Sequence, residues 1–537
     1  MNLAQPRTVA EVLDSHVKLE VESIDRMYLN VCVPLLQREG GVAAFFRNHS
    51  GKPFVSSALM DPISKAFVAA IHRFVKRQRV ELVSFKKGQR KDDVTRERLA
   101  KFPEKEGVLY VGRAQEKASV FRTEKRTNPQ TGYTYPWLVR STAMVNQFYF
   151  YCLDKDFGPF FLKFNTYFPY NAKLCINGHE YAKCQLGKEG IGFEALDNGI
   201  LTCANPKRLQ QLCDELSAEK IDALLRKWLH RLPHPYTAAD RAAGYRYELS
   251  MLQAEFSLTQ VLDRPVSGRI LFEELIRENL DIGRPSQVQL IFDRRVTRRT
   301  PGQFRTRVIT EGVTPSLHID YKKSRIKQYH KEGRALRTET TINDTYDFGI
   351  GRRIKNLPEL RKVGFAANRR LLKVEKLSHD CALGNDAFGR LQAPVVVNDQ
   401  RAAGLRYADP RVQALLSAIC LFCLLPNGFT NADLRRMLAP LLGLAPGELT
   451  QGRMTYDLRR LRLHGIIERI PKTHRYRVTD DGLRAALFFT RTYARILRKG
   501  LSVVLNSARP NGAPIRRAFD QLTEVVNAYC DDAKIAA

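Results

Sequence analysis

The sequence predicts a multidomain α+β protein: a helical amino-terminal region, a central mixed β-sheet, and a carboxy-terminal module of helices closed by a β-hairpin. Three observations lead there. The 537 residues exceed what one ordinary hydrophobic core accommodates. Aromatic runs around 148–164 read as buried strands, and helix caps followed by alternating residues punctuate 411–479. Hydrophobic residues make up 44% of the chain, enough for folded structure throughout.

In order along the chain, residues 1–80 read as mainly helical, with an amphipathic stretch at Ile63–Val75 that ends in Lys76, Arg77 and Arg79. The polar, basic passage Ser84–Lys105 reads as an exposed connection that contains Lys86, Lys87 and Arg90, and Gly107–Val111 as a short strand. Asn128-Pro-Gln-Thr-Gly132 is a turn signal. Two apolar runs, Phe148–Leu153 and Phe160–Phe164, flank a polar turn at Asp154-Lys-Asp156 and predict a buried hairpin. His179–Leu186, 206–231 and 238–262 read as helical, 286–345 as basic and β-rich, and Asp399–Ala408 as a linker. These segments give five expected regions: 1–106, 107–232, 233–400, 401–505 and a last helix at 506–537.

The charge balance is 87 Lys and Arg against 56 Asp and Glu, a net +31. Residues 76–126 carry 16 basic and 8 acidic side chains, 284–340 carry 14 and 5, and 405–500 carry 17 and 7, so three segments hold nearly all the surplus. Solubility does not require such segregation, whereas a polyanion crossing several domains does. The amino terminus lacks an apolar signal core and no run approaches the roughly 20 apolar residues of a membrane span, so the expected location is cytoplasmic. The ten cysteines show no repeating spacing. The one CxxC pair, Cys420 and Cys423, lies in an apolar helical run without a second pair and reads as core packing rather than a zinc site.

The carboxy-terminal module predicts helices at Arg411–Leu424, Ala432–Leu442 and Gln451–His464, with Thr430 or Asn431 as a cap and Gly465 as a stop. Strands Ile466–Ile470 and Arg475–Thr479 follow around a basic tip, Pro471-Lys-Thr-His474, and a further helix begins at Gly482. In the third helix Met454, Leu458 and Leu461 form a buried stripe, so Arg453, Tyr456, Arg459 and Arg460 face away from it. The segment Tyr456–Gly482 resembles the winged helices of MarR- and ArsR-like proteins. That resemblance implies a recognition helix for a DNA groove and a wing, with Lys472, His474 and Arg475, for the neighbouring backbone.

The central stretch Leu317–Asn343 predicts two strands, Arg325–Tyr329 and Ala335–Ile342, around Lys331-Glu332-Gly333. Arg325, Lys327, Lys331, Arg334 and Arg337 read as phosphate contacts, with Glu339 balancing them. A basic strand ending Lys-x-Tyr-x-Lys followed by Leu-Arg-x-Glu also resembles strand-nicking replication initiators of plasmids and phages. The resemblance implies a divalent metal and a tyrosine nucleophile: His318, Asp320 and Glu339 as ligands, Tyr321 or Tyr329 as the attacking group. The histidine pair of that family is missing, and His318-Ile-Asp320 is its nearest substitute.

A second arrangement groups Asp154 or Asp156 with His179, Glu180 and Glu339 as a two-metal nuclease or transposase-like cluster, although Asp-Lys-Asp is also ordinary turn chemistry. Gln115-Glu116-Lys117 is a degenerate nuclease-like strand end. No phosphate-binding or dinucleotide glycine loop occurs, so nucleotide-driven chemistry is unsupported. The expectation is a nucleic-acid-binding protein of mobile-element type, with DNA as the partner and no evident cofactor. Two alternatives stand beside it: an Mg²⁺- or Mn²⁺-dependent phosphodiester-cleaving enzyme, and an RNA-binding or RNA-guided effector, for which Phe148–Tyr170 and Ser84–Lys105 would supply aromatics and cations.

Overall fold

The computed structural model describes residues 9–264, 305–311 and 314–493, apart from 53, 87, 88, 90, 380–382, 408, 423–426 and 446, together with 521 and 525. The fold is α+β and multidomain. The chain forms two compact units, one of residues 14–273 and 286–368, the other built mainly from 369–537.

In chain order the elements up to residue 262 are α1 (Val9–His16), β1 (Val17–Cys32), α2 (Glu39–Ala44), α3 (Met60–Arg77), β2 (Leu82–Ser84), α4 (Lys91–Lys101), β3 (Gly107–Thr127), β4 (Thr134–Asp154), β5 (Gly158–Asn165), β6 (Ala172–Asn177), α5 (Gly178–Lys188), β7 (Phe193–Leu196), β8 (Gly199–Cys203), α6 (Pro206–Asp214), α7 (Ala218–Arg231), α8 (Ala238–Ala242) and β9 (Glu248–Leu262). Then follow β10 (Arg305–Glu311), β11 (Thr314–Tyr321), β12 (Ser324–Lys331), β13 (Ala335–Ile342) and α9 (Leu357–His379). Eleven strands make one sheet in the order β10-β11-β12-β13-β9-β1-β6-β5-β4-β3-β2, antiparallel except for the β2/β3 edge. The strands come from three regions expected to be separate, so the breaks placed at 106 and 232 fall inside one unit.

Two helix expectations are corrected here. Residues 17–32 and 248–262 are not helical: they are β1 and β9, neighbours at the centre of the sheet. From Phe256 to Leu262 β9 is buried on both faces, which removes the alternation that marks a half-exposed strand, whereas β1 alternates at Val17–Val21 and again at Met27–Val31 on either side of an irregular stretch. The expected connection after Ser84 contains helix α4, and the strand expected at Gly107–Val111 runs on to Thr127. The hairpin around Asp154-Lys-Asp156 and the helices at 178–188 and 206–231 are as expected.

One face of the sheet carries the main core. Phe148, Phe150, Leu162, Phe164, Met27 and Phe256 lie there under Phe67 and Phe74 of α3, Trp228 of α7 and Phe365 of α9, all buried. The opposite face is covered in two patches. Leu19, Val21, Val261 and Ala335 pack against α5, α6 and the β7–β8 hairpin, while Tyr110, Tyr149 and Tyr151 pack against Phe85 and α4. Between the patches the floor of the sheet is polar.

The second unit contains α10 (Asn385–Gln392), β14 (Val395–Val397), β15 (Gln400–Ala402), α11 (Pro410–Phe422), β16 (Phe429–Thr430), α12 (Asn431–Leu441), α13 (Gln451–Leu463), β17 (Ile467–Arg469), β18 (Arg475–Val478) and α14 (Asp480–Arg491). Thr430 and Asp433 form a reciprocal cap at the start of α12, and Gly465, at φ 71°, follows α13. β16 joins β18 and β17 in a three-stranded sheet that the sequence did not announce. Of the linker expected at Asp399–Ala408, residues 399–402 are instead part of a hairpin, 403–407 lie outside any strand or helix, and 408 lies outside the described residues. Asn398 and Asp399, at φ 48° and 59°, turn β14 into β15. Cys420 is a free thiol; Cys423 and the helix expected after 505 lie outside the described residues, apart from 521 and 525. Among the described residues no helix is long and apolar enough to cross a membrane.

Candidate functional site

The polar floor begins with a β-bulge. Ile24 pairs with Phe256 and Met27 with Ala254, so two residues, Asp25 and Arg26, stand opposite the single residue Glu255. The bulge brings both onto the face of Glu255. On the next strand Glu339 lies opposite Ser257. One carboxylate oxygen each from Asp25, Glu255 and Glu339 come within 4.8 Å of one another.

Asp25 is held from two sides. Its Oδ2 accepts from Nη1 of Arg337 at 3.3 Å, and its Oδ1 accepts from Nδ2 of Asn198. Asn198 in turn accepts from Asn177 at 2.7 Å, and the Asn177 carbonyl caps α5 through the backbone N–H groups of His179 and Glu180. Arg337 is fully buried and spends its other donors on Thr259 Oγ1 at 3.1 Å and His179 Nε2 at 2.9 Å. A guanidinium only donates, so His179 accepts there. Burial, then the charge of Arg337, holds the imidazole well below its usual pKa and keeps it neutral. A Cβ added to Gly199 would sit 3.0 Å from Arg337 Nη2, so the glycine gives this side chain its room.

The other two acids are less well matched. Burial, reinforced by Glu339 and Asp25, pushes the Glu255 carboxyl up to about 8, and Glu339 is raised by burial and by Asp25. Glu255 accepts from Gln253 at 3.1 Å, and Glu339 accepts from Tyr329 Oη at 3.3 Å. Lys327 lies opposite Glu339 in register, with Nζ 4.3 Å from the Tyr329 ring centroid. Three converging carboxylates, two of them pushed toward their protonated forms, are an arrangement that a divalent cation would relieve, and carboxylate oxygens suit Mg²⁺ or Mn²⁺.

Of the residues singled out in sequence, Tyr329, Glu339, Lys327 and Arg337 therefore meet at one place. Arg337 serves there as an internal cation and not as a phosphate contact. His318 shares the face but lies opposite Lys327, two strand spacings or about 10 Å from Glu339, and its Nε2 bonds Ser316 Oγ at 2.9 Å. Asp320 pairs with Arg325 at 2.7 Å. The ligand set His318, Asp320 and Glu339 is thus not assembled. Tyr321 points to the other face, against Phe348, which leaves Tyr329 as the tyrosine beside the acids. Lys331 pairs with Glu332 at 3.4 Å and Arg334 is exposed.

The second expected cluster does not form either. Asp154 is buried and accepts from Lys227 at 2.7 Å, Trp228 Nε1 at 2.8 Å and the backbone of Asp156 and Phe157. Burial raises its pKa, but those hydrogen bonds outweigh it and the net shift is downward: Asp154 is a turn anchor. Asp156 pairs with Lys188, and Glu180 with Lys183. Glu116 is enclosed by Lys163, Lys91 and Tyr149; burial opposes its ionisation, yet those partners bring it down to about 2. Lys86 is exposed, and Lys87 and Arg90 lie outside the described residues.

In the second unit Met454, Leu458 and Leu461 are buried, and Arg453, Tyr456 and Arg459 are exposed as expected. Arg460 departs from the expectation. It is buried and donates to the carbonyls of Ala403 at 2.9 Å and Gly404, tying α13 to the chain after β15. At 100° per residue Arg460 lies about 100° from Leu461, on the polar side of α13, and it is buried because the chain at Ala403 and Gly404 covers it there, which helix phase alone does not show. Arg475 likewise donates to the carbonyls of Asn427 at 2.6 Å and Gly428 at 2.8 Å. Lys472, at φ 60°, and His474 remain exposed at the hairpin tip.

Asp25 and Glu255 escaped the sequence reading because both segments were taken as helical. For Glu255 the signal was a lone acid in the strand-compatible run Met251–Leu262; Asp25, which shares Val21–Val31 with Glu22 and Arg26, had no such mark. Compared with protein-family models, curated proteins and solved structures, the chain matches none.

Proposed function

We propose that this is a DNA-binding protein whose central sheet breaks a phosphodiester bond with the help of a divalent cation. The observation that carries the reading is the convergence of Asp25, Glu255 and Glu339 from three adjacent strands, with a tyrosine hydroxyl on one of them. Asp25, Glu255 and Glu339 would hold Mg²⁺ or Mn²⁺, which polarises a bound phosphate. Arg26 and Lys327 border the acids and would steady its remaining charge. Glu339 is the acceptor for Tyr329 Oη and so is placed to take its proton as that oxygen attacks phosphorus; the P–O bond to the leaving oxygen breaks, and that oxygen receives a proton.

The carboxy-terminal unit supports docking. Read as a winged helix, it offers Arg453, Tyr456 and Arg459 to a duplex groove and Lys472 and His474 to the backbone beside it. The likeness of 317–343 to strand-nicking initiators fits a plasmid, phage or other mobile-element setting. A binding protein without chemistry is the second reading, favoured by the ion pair of Arg337 with Asp25, which makes part of the cluster self-sufficient.

Incubating supercoiled DNA with the purified protein and Mn²⁺ decides between them. Nicked circles are expected, lost on chelation, reduced at least about 100-fold by Glu339→Gln, and accompanied by a protein–DNA adduct absent from Tyr329→Phe. DNA that is bound in a salt-dependent way but stays intact with every cation leaves only the binding reading. Preferential retention of RNA would move the target to RNA.

A further inference from the structure

The strands β3 and β4 outrun the sheet that holds them. β5 accompanies β4 only along Gln147–Asp154, and β2 accompanies β3 only along Leu82–Ser84, paired with Val111–Arg113. From Lys117↔Met144 to Thr127↔Thr134, eleven registered pairs continue as a two-stranded ribbon with no strand on either edge among the described residues. At about 3.3 Å per residue this ribbon reaches about 35 Å. It is anchored partway along, where Phe121 and Leu138 are buried in the main core and Thr123 Oγ1 accepts from the backbone N–H of Ser57 at 2.7 Å, so the free end is Glu124↔Trp137 to Thr127↔Thr134 with the turn between them.

Beyond that anchor Tyr133 and Trp137 are exposed among the described residues, and the ribbon's side chains are not those of an inert loop. Trp137 is 43% exposed and Tyr133 58% exposed. Arg126 stands opposite Tyr135 on the face of Trp137, its guanidinium 4.8 Å from the indole centroid, and Tyr135 meets Trp137 edge to face. Residues 117–144 hold Lys117, Arg122, Lys125, Arg126 and Arg140 against a single acid, Glu124. A projecting pair of strands with uncovered rings and surplus guanidinium charge matches a partner that offers flat π-faces and phosphates together.

Resting on the DNA-binding reading above, we infer that the free end of this ribbon is a contact for single-stranded DNA, with Trp137 stacked on an unpaired base and Arg126 and Lys125 beside the phosphates. Unpaired bases are required because a base in an intact duplex has no free face. The ribbon belongs to β4 and β3, three and four strand positions from β1 in the sheet, so it would hold a strand already open and leave the cut to the acids.

The chain provides its own reporter. It has two tryptophans, and the other, Trp228, is buried against Phe160 with its N–H on Asp154. Titrating the full-length protein with a short single-stranded DNA should quench tryptophan emission, and Trp137→Phe should abolish the quenching while far-UV circular dichroism stays unchanged. Trp137→Ala should weaken single-strand binding about 5- to 100-fold, and a blunt duplex should leave the emission as it was. Full-affinity single-strand binding by Trp137→Ala without any emission change in the unaltered protein overturns the ribbon contact and leaves DNA binding standing. Equal quenching by the duplex overturns base stacking, and failure to bind any nucleic acid overturns both readings.

Discussion

The arginines of the central sheet and those of the carboxy-terminal helix α13 are put to different uses. Arg337 sits in a strand, wholly enclosed, with each guanidinium nitrogen committed to Asp25, Thr259 or His179. Along α13 the uses alternate within a few residues: Arg453 and Arg459 face solvent, while Arg460 is turned inward onto two carbonyls. Net charge treats these side chains as equal. Their surroundings divide them into cations that hold the protein together and cations left over for a partner, and only the second kind bears on nucleic-acid binding.

The sharpest way to break this division is Arg337→Met. Removing the buried cation leaves Asp25 without its ion-pair partner beside two more acids, and a loss of about 3–5 kcal/mol in chemical denaturation is expected. A loss under about 0.5 kcal/mol, the usual effect of a surface change, would mean the guanidinium is not structural. Next in size is Arg460→Ala, which abandons two buried carbonyls and should cost about 1.5–3 kcal/mol. The paired change Arg453→Ala and Arg459→Ala should leave stability nearly unaltered and lower the dependence of log affinity on log salt by about 2. Should Arg460→Ala weaken DNA binding with unchanged stability, the inward assignment fails.

The smallest effect depends on pH. Glu255 has its carboxyl pKa raised from 4.5 to about 8 in the folded chain. The folded state therefore keeps a proton that the unfolded chain gives up, so stability is full below pH 4.5 and declines as pH rises toward 8. Glu255→Gln should raise the unfolding midpoint at pH 9, by about 2–4 °C for each kcal/mol of repulsion removed, and change it little at pH 4. Added Mn²⁺ should raise the midpoint of the unaltered protein at pH 9 and not that of the variant. Identical pH profiles for the two would remove Glu255 from the cluster.

How much of this was legible in the sequence follows from how each element is buried. α13 could be read closely because one face is apolar and the other wet, and Thr450 and Gly465 mark its ends. The β12–β13 hairpin could be read for similar reasons, and with it Tyr329 and Glu339. The second half of β9 could not, because a strand buried on both faces loses its period of two and becomes indistinguishable from a helix interior in an apolar count, whereas β1 keeps that period at Val17–Val21 and Met27–Val31 and is interrupted only between them. The bulge at Asp25 and Arg26 was beyond reach altogether: it exists only in the pairing with β9, and it is what adds Arg26 to the face that Asp25 and Glu255 share. The same limit hid the inward turn of Arg460, which depends on the stretch after β15 that the sequence presented as a linker.

The central position of β1 also sets a schedule for biosynthesis. Asp25 and Arg337 are 312 positions apart in the chain. At a ribosomal rate of about 5–20 residues per second the first waits roughly 15–60 seconds for the second. Until β9 is made, β1 is a long strand with β6 as its one sheet neighbour, a species open to mispairing along its other edge. The acid cluster is completed only when that wait ends, so nascent or truncated chains that stop before β13 carry the β3–β4 ribbon, Asp25, Glu255 and Tyr329 without Glu339, the acid proposed to take the tyrosine proton, and without Arg337, the buried partner of Asp25.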